Sequence, residues 1–499
     1  MITPTFELFC KKAKEGNLIP VYKEILADTE TPVSAFLKIK EGDYAYLLES
    51  VEGGEKWGRF SFLGANPAII VQGKGNTVEI IEDGQSQKIH NENPLQVLKN
   101  VMDRFKAVQI EGLPRFVGGA VGFIGYEGVR YFESMQFKSA QENLGETDFF
   151  FMFTDTFLVF DNLKHKIKIV SNAFIEHADL HKAYQKAIAK IDATIARFNA
   201  PMQKINTHPQ ATVAPHREKT TAIALSSNMS KEAFIQSVHK AKEWIAAGDI
   251  FQVQLSQRFS APIRSNPFTV YRALRSINPS PYMYYFQWGS RHLAGTSPEV
   301  LVRLEGKRAE LRPIAGTRRR GGTPQEDIAL EKELLNDPKE RAEHIMLVDL
   351  GRNDLGRVCE YGSVQVTELM VVERYSHVMH IVSNIVGQLR GDDNSFSLLE
   401  ACFPAGTVTG APKVRAMQII DALEPDSRGL YAGAVGYFGF DGNMDTCITI
   451  RTIVIDNNIA TVQAAAGIVA DSDPDSEYEE TMNKAKAMLS AIYMAEEDM

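Results

Sequence analysis

The chain is 499 residues long, with 44% hydrophobic and 23% charged residues, the proportions of a soluble globular protein and not of a disordered one. Its 54 basic and 63 acidic residues leave a net charge of −9, so there is no basic surplus to hold a nucleic acid. No apolar run approaches the roughly 20 residues of a membrane span, which removes the membrane as a partner.

The N-terminal segment, residues 1–17, mixes Glu7, Lys11, Lys12 and Lys14 with apolar residues and has no signal-peptide core. Cys10, Cys359, Cys402 and Cys447 are scattered without a CxxC pair. Neither a disulfide framework nor a zinc site is expected, and the cytoplasm is the expected compartment. β-Branched and aromatic runs predict strands at Tyr44–Glu49, Ala68–Gln72, Thr77–Glu82 and Phe149–Phe160, followed by a helix at Glu176–Phe198. The stretch from Asn199 to Asn228 loses periodicity and gathers Pro201, Pro209 and Pro215. It divides the chain into residues 1–200, a linker or surface connection at 201–228, and residues 229–495.

Beyond the linker, Ser230 caps a helix with Phe234, Val238, Ala241 and Ile245 as its apolar stripe, ended by Gly248. From Ile250 to Phe259 the pattern alternates, with Phe251, Val253 and Leu255 on one face and Gln252, Gln254 and Ser256 on the other. Asp337-Pro338, with Glu340 behind it, starts a helix, and Ser476 with Glu479 starts the terminal one. The segment Gly119-Ala-Val-Gly-Phe-Ile-Gly-Tyr-Glu-Gly128 is echoed by Gly433-Ala-Val-Gly-Tyr-Phe-Gly-Phe-Asp-Gly442. A duplicated subdomain and convergent use of one tight strand both explain the echo. A dinucleotide loop does not, because the residues are strand-forming and open no helix.

Glu340 and Glu343 are three apart in one predicted helix, and Glu477 and Glu480 are three apart in another, so each pair shares a face. Lys484 joins the second face, opposite Met482, Ala485, Leu489 and Ile492. Hard oxygen ligands from two helices suit Mg²⁺, but spacing alone favours two solvated acidic faces. Three further landmarks are plainer by themselves. His380 sits in an apolar run, as core histidines do. Arg451 interrupts the β-branched run Ile448–Ile455 and calls for an anion. Arg318-Arg319-Arg320 reads as a solvated loop.

Longer motifs then combine. Gly248-Asp-Ile-Phe-Gln-Val253, Pro313-Ile-Ala-Gly-Thr-Arg318, Glu343-His-Ile-Met-Leu-Val-Asp-Leu-Gly-Arg-Asn-Asp354, Phe403-Pro-Ala-Gly-Thr-Val-Thr-Gly-Ala-Pro-Lys413, Ile448-Thr-Ile-Arg-Thr452 and Ala466-Gly-Ile-Val-Ala-Asp-Ser472 occur in order. Together they resemble the chorismate-utilising enzymes over nearly all of the chain beyond residue 230. The resemblance implies an α+β fold in which large antiparallel sheets enclose the active site, with helices around them. It implies that Glu343 and Glu480 bind Mg²⁺ with Glu340 and Glu477 in support. It also implies that Gly316, Thr317, Tyr431, Arg451, Lys484 and the backbone of Ala465, Ala466 and Gly467 hold chorismate. Ala465 stands where the family often has Gly, a small departure because the contact is through backbone.

The same resemblance implies Glu299 as the general acid that protonates the leaving C4 hydroxyl, His380 as the base that removes the C2 proton, and Thr407 close to the substrate. Water-using members carry a lysine base where this chain has Gln252, and an amide cannot act as a base, so ammonia is the expected nucleophile. Members that work through a covalent lysine carry it where this chain has Ala315. What remains is ammonia attack at C2 and pyruvate loss, giving anthranilate. Every long motif belongs to the synthase, so a separate glutamine amidotransferase subunit is expected to supply the ammonia, in a hetero-oligomer. In the N-terminal half, Leu47-Leu-Glu-Ser50, Gly58-Arg-Phe-Ser61 and Asn278-Pro-Ser-Pro-Tyr-Met283 resemble the tryptophan feedback site of the family's anthranilate-forming subunits. That resemblance implies Ser50, Pro281, Tyr282 and Met283 as the L-tryptophan pocket. Two alternatives stand beside this reading: an aminodeoxyisochorismate synthase that stops before pyruvate loss, and a non-catalytic tryptophan-sensing subunit.

Overall fold

Runs of β-branched and aromatic residues, cut by turn residues, build strands along the whole chain, and apolar stripes on the intervening helices cover their outer faces. The computed structural model describes residues 1–50, 59–90, 93–133, 135, 147–175, 179–200, 224–375 and 378–497. Among these residues the strands form two antiparallel sheets, of thirteen and twelve strands. Most of the expected linker, residues 201–223, lies outside the described residues.

Three cores order the layers. Between the sheets, Tyr46, Phe62, Tyr284 and Trp288 of the first sheet meet Val121, Phe123, Phe150 and Tyr437 of the second. Helices Pro32–Ile39, Leu180–Asn199, Pro267–Ile277 and Pro474–Glu497 pack on the outer face of the first sheet through Phe36, Ile191, Leu274 and Met488. Helices Pro94–Met102, Pro338–Gly356 and Ser395–Cys402 cover the second through Leu98, Val348 and Leu399. The result is helix, sheet, sheet, helix, an α+β sandwich.

The echo is the axis of this arrangement. Strands Gly119–Ile124 and Ala434–Gly439 lie side by side, and Gly122 pairs with its own counterpart Gly436. At the centre of the other sheet, Tyr44–Glu49 pairs with Tyr282–Trp288, from Met283 opposite Glu49 to Trp288 opposite Tyr44. Neighbours repeat in the same order on both sides. Tyr46 lies over Gly64 of the next strand, where a Cβ would sit 2.5 Å from its ring, and Tyr284 lies over Gly295, where the gap would be 2.3 Å. Hairpins Thr156–Asp161/Lys166–Phe174 and Thr452–Asp456/Ile459–Ile468 then lead into the long helices Leu180–Asn199 and Pro474–Glu497. The order of elements thus follows an approximate two-fold relation between the halves, and of the two explanations of the echo the pairing favours duplication.

Several local expectations need correction. The run Phe149–Phe160 is two strands, Phe149–Phe153 and Thr156–Asp161, one in each sheet. The polar pair Thr154-Asp155 marks the crossing, where Asp155 O accepts the Asn172 amide. Arg451 likewise does not interrupt a strand. It sits at the crossing between Met444–Ile448 and Thr452–Asp456, in a left-handed conformation with φ +53°. The terminal helix starts at Pro474, because Asp473 caps it by accepting the Ser476 amide at 2.9 Å. Phe251 lies outside its strand, which spans Gln252–Pro262, and is 72% exposed. The three arginines are no solvated loop: Arg318 and Arg319 belong to strand Ile314–Arg319, and Arg320 makes a two-pronged bond to Asp327.

Candidate active site

Crossings between the sheets carry Glu299 and Arg451. Ser297-Pro-Glu299 joins strand Arg291–Ser297 of one sheet to Val300–Glu305 of the other. There the Glu299 amide donates to Ser297 Oγ, and Glu299 O accepts the Ile448 amide. The Glu299 carboxyl is buried, and burial pushes it up to about 8, against bonds from the Thr407 hydroxyl and the Ile314 amide. It is therefore protonated near neutral pH. Thr407 Oγ is itself buried, with no hydrogen bond of full geometry among the described residues, and Glu299 is the group it approaches.

His380 lies on strand Val378–Gln388, with Met379 and Ile381 turned into a small core against Leu334. The imidazole faces the other way. Its Nδ1–H donates to Gly316 O at 3.0 Å and meets Thr317 Oγ at the same distance. A carbonyl can only accept, so the proton stays on Nδ1 and Nε2 is left basic. Burial, with the Arg451 charge adding to it, lowers the His380 pKa, against the Gly316 bond and the Glu373 charge. The ring is neutral where Glu299 is still protonated, which is the pairing that acid–base chemistry at one site requires.

The glutamates arrive from helices Pro338–Gly356 and Pro474–Glu497. Gln252 Nε2 donates to Glu343 Oε1 at 2.7 Å. Lys484 pairs with Glu480 at 2.5 Å and donates to Ala465 O at 2.9 Å. Burial raises the Glu343 pKa, and the charges of Glu340 and Glu480 raise it further against Gln252 and Lys484. Glu477 is raised by burial and by Glu480. The four acids thus lie in one another's fields, although Arg318 holds Glu340 at 3.0 Å. Among the described residues no three acids, histidines or cysteines stand close enough to grip a bare ion. Acids from two helices, with Glu343 and Glu477 raised in part by the like charges beside them, still match a hydrated divalent cation, which keeps several waters between itself and the protein.

Arg451 supplies the opposite charge. Arg451 is half-buried, and its guanidinium makes no ion pair or hydrogen bond among the described residues. Burial lowers its pKa against the nearby Tyr431 and Glu480. A cation held this way wants an anionic ligand. Tyr431 is half-buried and its phenol is pushed up to about 12 by desolvation, against the Arg428 charge and the Ala465 backbone. Ala465, Ala466 and Gly467 lie on strand Ile459–Ile468, paired with Ser256, Leu255 and Gln254. A Cβ on Gly467 would come within 2.8 Å of both Gln252 Nε2 and Gln254 Nε2, so a larger residue there would push the two amides from where they stand. His380, Arg451, Tyr431 and the glutamates therefore converge from five stretches of the C-terminal half, and Glu299 and Thr407 meet each other from two more.

The other predicted cluster is separate. Ser50 and Pro281–Met283 line one cavity of about 340 Å³ between the sheets, with Phe60, Tyr437 and Asp445. Segments more than 200 residues apart meet because their strands are paired. Sequence reading missed the ionic floor of this cavity. Asp445 accepts the Tyr282 hydroxyl at 2.8 Å and Arg115 at 2.7 Å, and ion-pairs with Arg303 at 3.1 Å. It also missed Arg428, which pairs with Glu424 at 2.7 Å. The four-residue spacing of that pair is the only trace of it in the sequence.

The description of chorismate binding enzymes matches residues 45–490 of this chain. The chain belongs to the chorismate binding enzyme family. It is 50% identical over the full length of both chains to anthranilate synthase component 1 of Acetivibrio thermocellus. It is 48% identical, over 99% of each chain, to the protein of that name from a Synechocystis strain. Among solved structures it resembles anthranilate synthase component I from Streptococcus pneumoniae, at 36% identity and a TM-score of 0.75, with 93% of this chain and 98% of that one covered. The two-sheet α+β sandwich is the fold expected of a member of this family.

Proposed function

We propose that this chain is the synthase component that aminates chorismate at C2 with ammonia and then expels pyruvate to give anthranilate, the first step of L-tryptophan biosynthesis. The observation that carries the reading is the acid–base pair: Glu299, raised to about 8, is a proton donor in the range where His380 Nε2 is a free acceptor. Arg451 and Lys484 hold the substrate carboxylates, with Thr317 and the Tyr431 phenol beside them. Mg²⁺, held by Glu343 and Glu480 with Glu340 and Glu477 around it, would supply the positive charge that lets a dicarboxylate rest among four acids. Glu299 donates its proton to the departing C4 hydroxyl. Gln252, an amide already committed to Glu343, takes no proton from water. His380 removes the C2 proton at Nε2 as the ring becomes aromatic. Purified chain given chorismate, Mg²⁺ and ammonia should develop anthranilate fluorescence. Isochorismate as the product would contradict the reading, and the amino intermediate as the end product would favour the alternative that stops before pyruvate loss.

Feedback inhibition by L-tryptophan is supported by the duplication. The two-fold relation that equates Tyr44 with Tyr282 and Tyr46 with Tyr284 equates Trp288 with Ser50. It also equates Phe123 with Tyr437, and Phe150 with Asp445, their pairing partners. On one side the Trp288 indole packs on Phe123 at 5.0 Å and Phe150 at 5.9 Å. On the other, Ser50, Tyr282, Tyr437 and Asp445 surround open space, and Ser50 Oγ is buried without a partner among the described residues. A cavity where the counterpart holds an indole suits an indole, and its polar replacements suit an amino acid's charged end. The relatives' name, component 1, supports a separate glutaminase as ammonia donor and a hetero-oligomer with it. Four free cysteines, and no described helix long and apolar enough to cross a membrane, support the cytoplasm as the compartment.

A further inference from the structure

The first echoed glycine segment ends in Gly125-Tyr-Glu-Gly128, and the chemistry above makes no use of it. Its acid, Glu127, is only 8% exposed. Both carboxylate oxygens accept backbone amides from the far end of the chain, Arg428 N at 2.7 Å and Gly429 N at 3.0 Å. Burial pushes the carboxyl up to about 7, and these amides work against the shift. Arg428 turns its guanidinium away, to Glu424. Asp441, the counterpart of Glu127 in the second segment, only closes a local turn by accepting Asn443 N at 3.1 Å. The fold's repeat therefore does not require the clamp.

The clamped turn is where the substrate site is tied together. Gly429 has φ +60°, and its carbonyl accepts Tyr126 N at 2.8 Å, so side chain and backbone of one segment grip the other. Arg428, 2% exposed, donates to Val408 O and to Gln254 O, each at 2.7 Å, and stacks over the Tyr126 ring at 4.8 Å and the Tyr431 ring at 5.6 Å. Val408 follows Thr407, and Gln254 is two residues from Gln252 on the same strand face. We infer that Glu127 is a positioning residue for the amination site: by clamping the Arg428 and Gly429 amides it fixes Tyr431 and the guanidinium that anchors the segments carrying Gln252 and Thr407. The inference rests on the reading of Tyr431 as a chorismate contact.

Glu127→Gln keeps the size of the side chain and replaces two acceptor oxygens by one, while Glu127→Ala leaves none. With free ammonia as nucleophile, the KM for chorismate should rise about tenfold in the Gln variant, the loss expected from one charge-assisted bond, with a smaller change in kcat. The Ala variant should lose more, and if it does not fold, the Gln variant carries the test. Tyr431→Phe should also raise KM, and the double variant Glu127→Gln/Tyr431→Phe should be worse than either single by less than the product of the two effects. Multiplying effects, or lower thermal stability in Glu127→Gln with KM and kcat unchanged, would overturn the clamp and leave the Tyr431 contact standing. A KM that Tyr431→Phe alone does not move would overturn the contact, and the inference with it.

Discussion

The two halves repeat one topology, yet one of them is closed where the other is open. Asp155 and Arg451 occupy the same sheet crossing, each just before the threonine that opens the following hairpin. Lys190 and Lys484 occupy the same, eleventh, position of the long helix that follows. In the N-terminal half the lysine and the crossing residue neutralise each other in the Lys190–Asp155 ion pair. In the C-terminal half both positions are cations, and Arg451 is left unpaired. The same contrast appears between the sheets, where Trp288 fills the space that Ser50 leaves empty. Function thus sits where one half declines to complete a contact that the other makes, the C-terminal half at Arg451 and the N-terminal half at Ser50, because an unsatisfied cation or an unfilled cavity is free energy reserved for a ligand.

Restoring the closed arrangement should break the enzyme. Arg451→Asp copies the N-terminal crossing and gives Lys484 a further acid beside Glu480, so kcat/KM for chorismate should fall by about 10³-fold or more, with the far-ultraviolet circular dichroism unchanged. A variant that keeps a tenth of the activity would show that the unpaired guanidinium is not the carboxylate anchor. Glu343→Gln and Glu480→Gln have no counterpart acids to imitate, and each should cost about 10²-fold at limiting Mg²⁺. Wild-type turnover at limiting metal in either variant would remove the glutamates from the metal site. The pH profile sharpens the assignment of acid and base. Activity should fall at low pH as His380, whose pKa is lowered, takes a proton. It should fall again above about 8 as Glu299 loses one. Glu299→Gln should abolish the alkaline limb along with most of the rate. The smallest effect is at the cavity. Ser50→Trp puts the counterpart's indole into it, so the ratio of rates with and without tryptophan should approach one, whereas in the parent the proposed coupling of ~1–3 kcal/mol should lower it. Unaltered inhibition would mean that tryptophan binds elsewhere.

Much of this was legible in the sequence because it depends on local pattern. The caps at Ser230 and Asp337 stand where the spacing puts them, as Ser230 Oγ accepts Ala233 N and Asp337 accepts the Lys339 and Glu340 amides. Strands Tyr44–Glu49 and Thr77–Glu82 have the expected bounds. Sheet crossings were not legible, since a β-branched run looks the same whether it stays in one sheet or changes sheets at a single left-handed residue such as Arg451. The glutamate pairs could be placed on helix faces, but that two helices so far apart in the sequence turn those faces together is a tertiary fact. For the same reason the contact between Glu127 and Arg428 carried no signal, since it spans 301 residues. The echo was visible but its meaning was not, until Gly122 was seen to pair with Gly436.

The central claim is that the open C-terminal site divides the chemistry between a protonated Glu299 and a neutral His380. Product analysis of the His380→Ala variant in a single turnover, with chorismate, Mg²⁺ and ammonia, tests it most directly. The account predicts that chorismate is consumed and that the aminated, pyruvate-bearing intermediate accumulates, with anthranilate slowed about 10²–10⁴-fold. Chorismate left unconsumed, with no intermediate at any time, would contradict it.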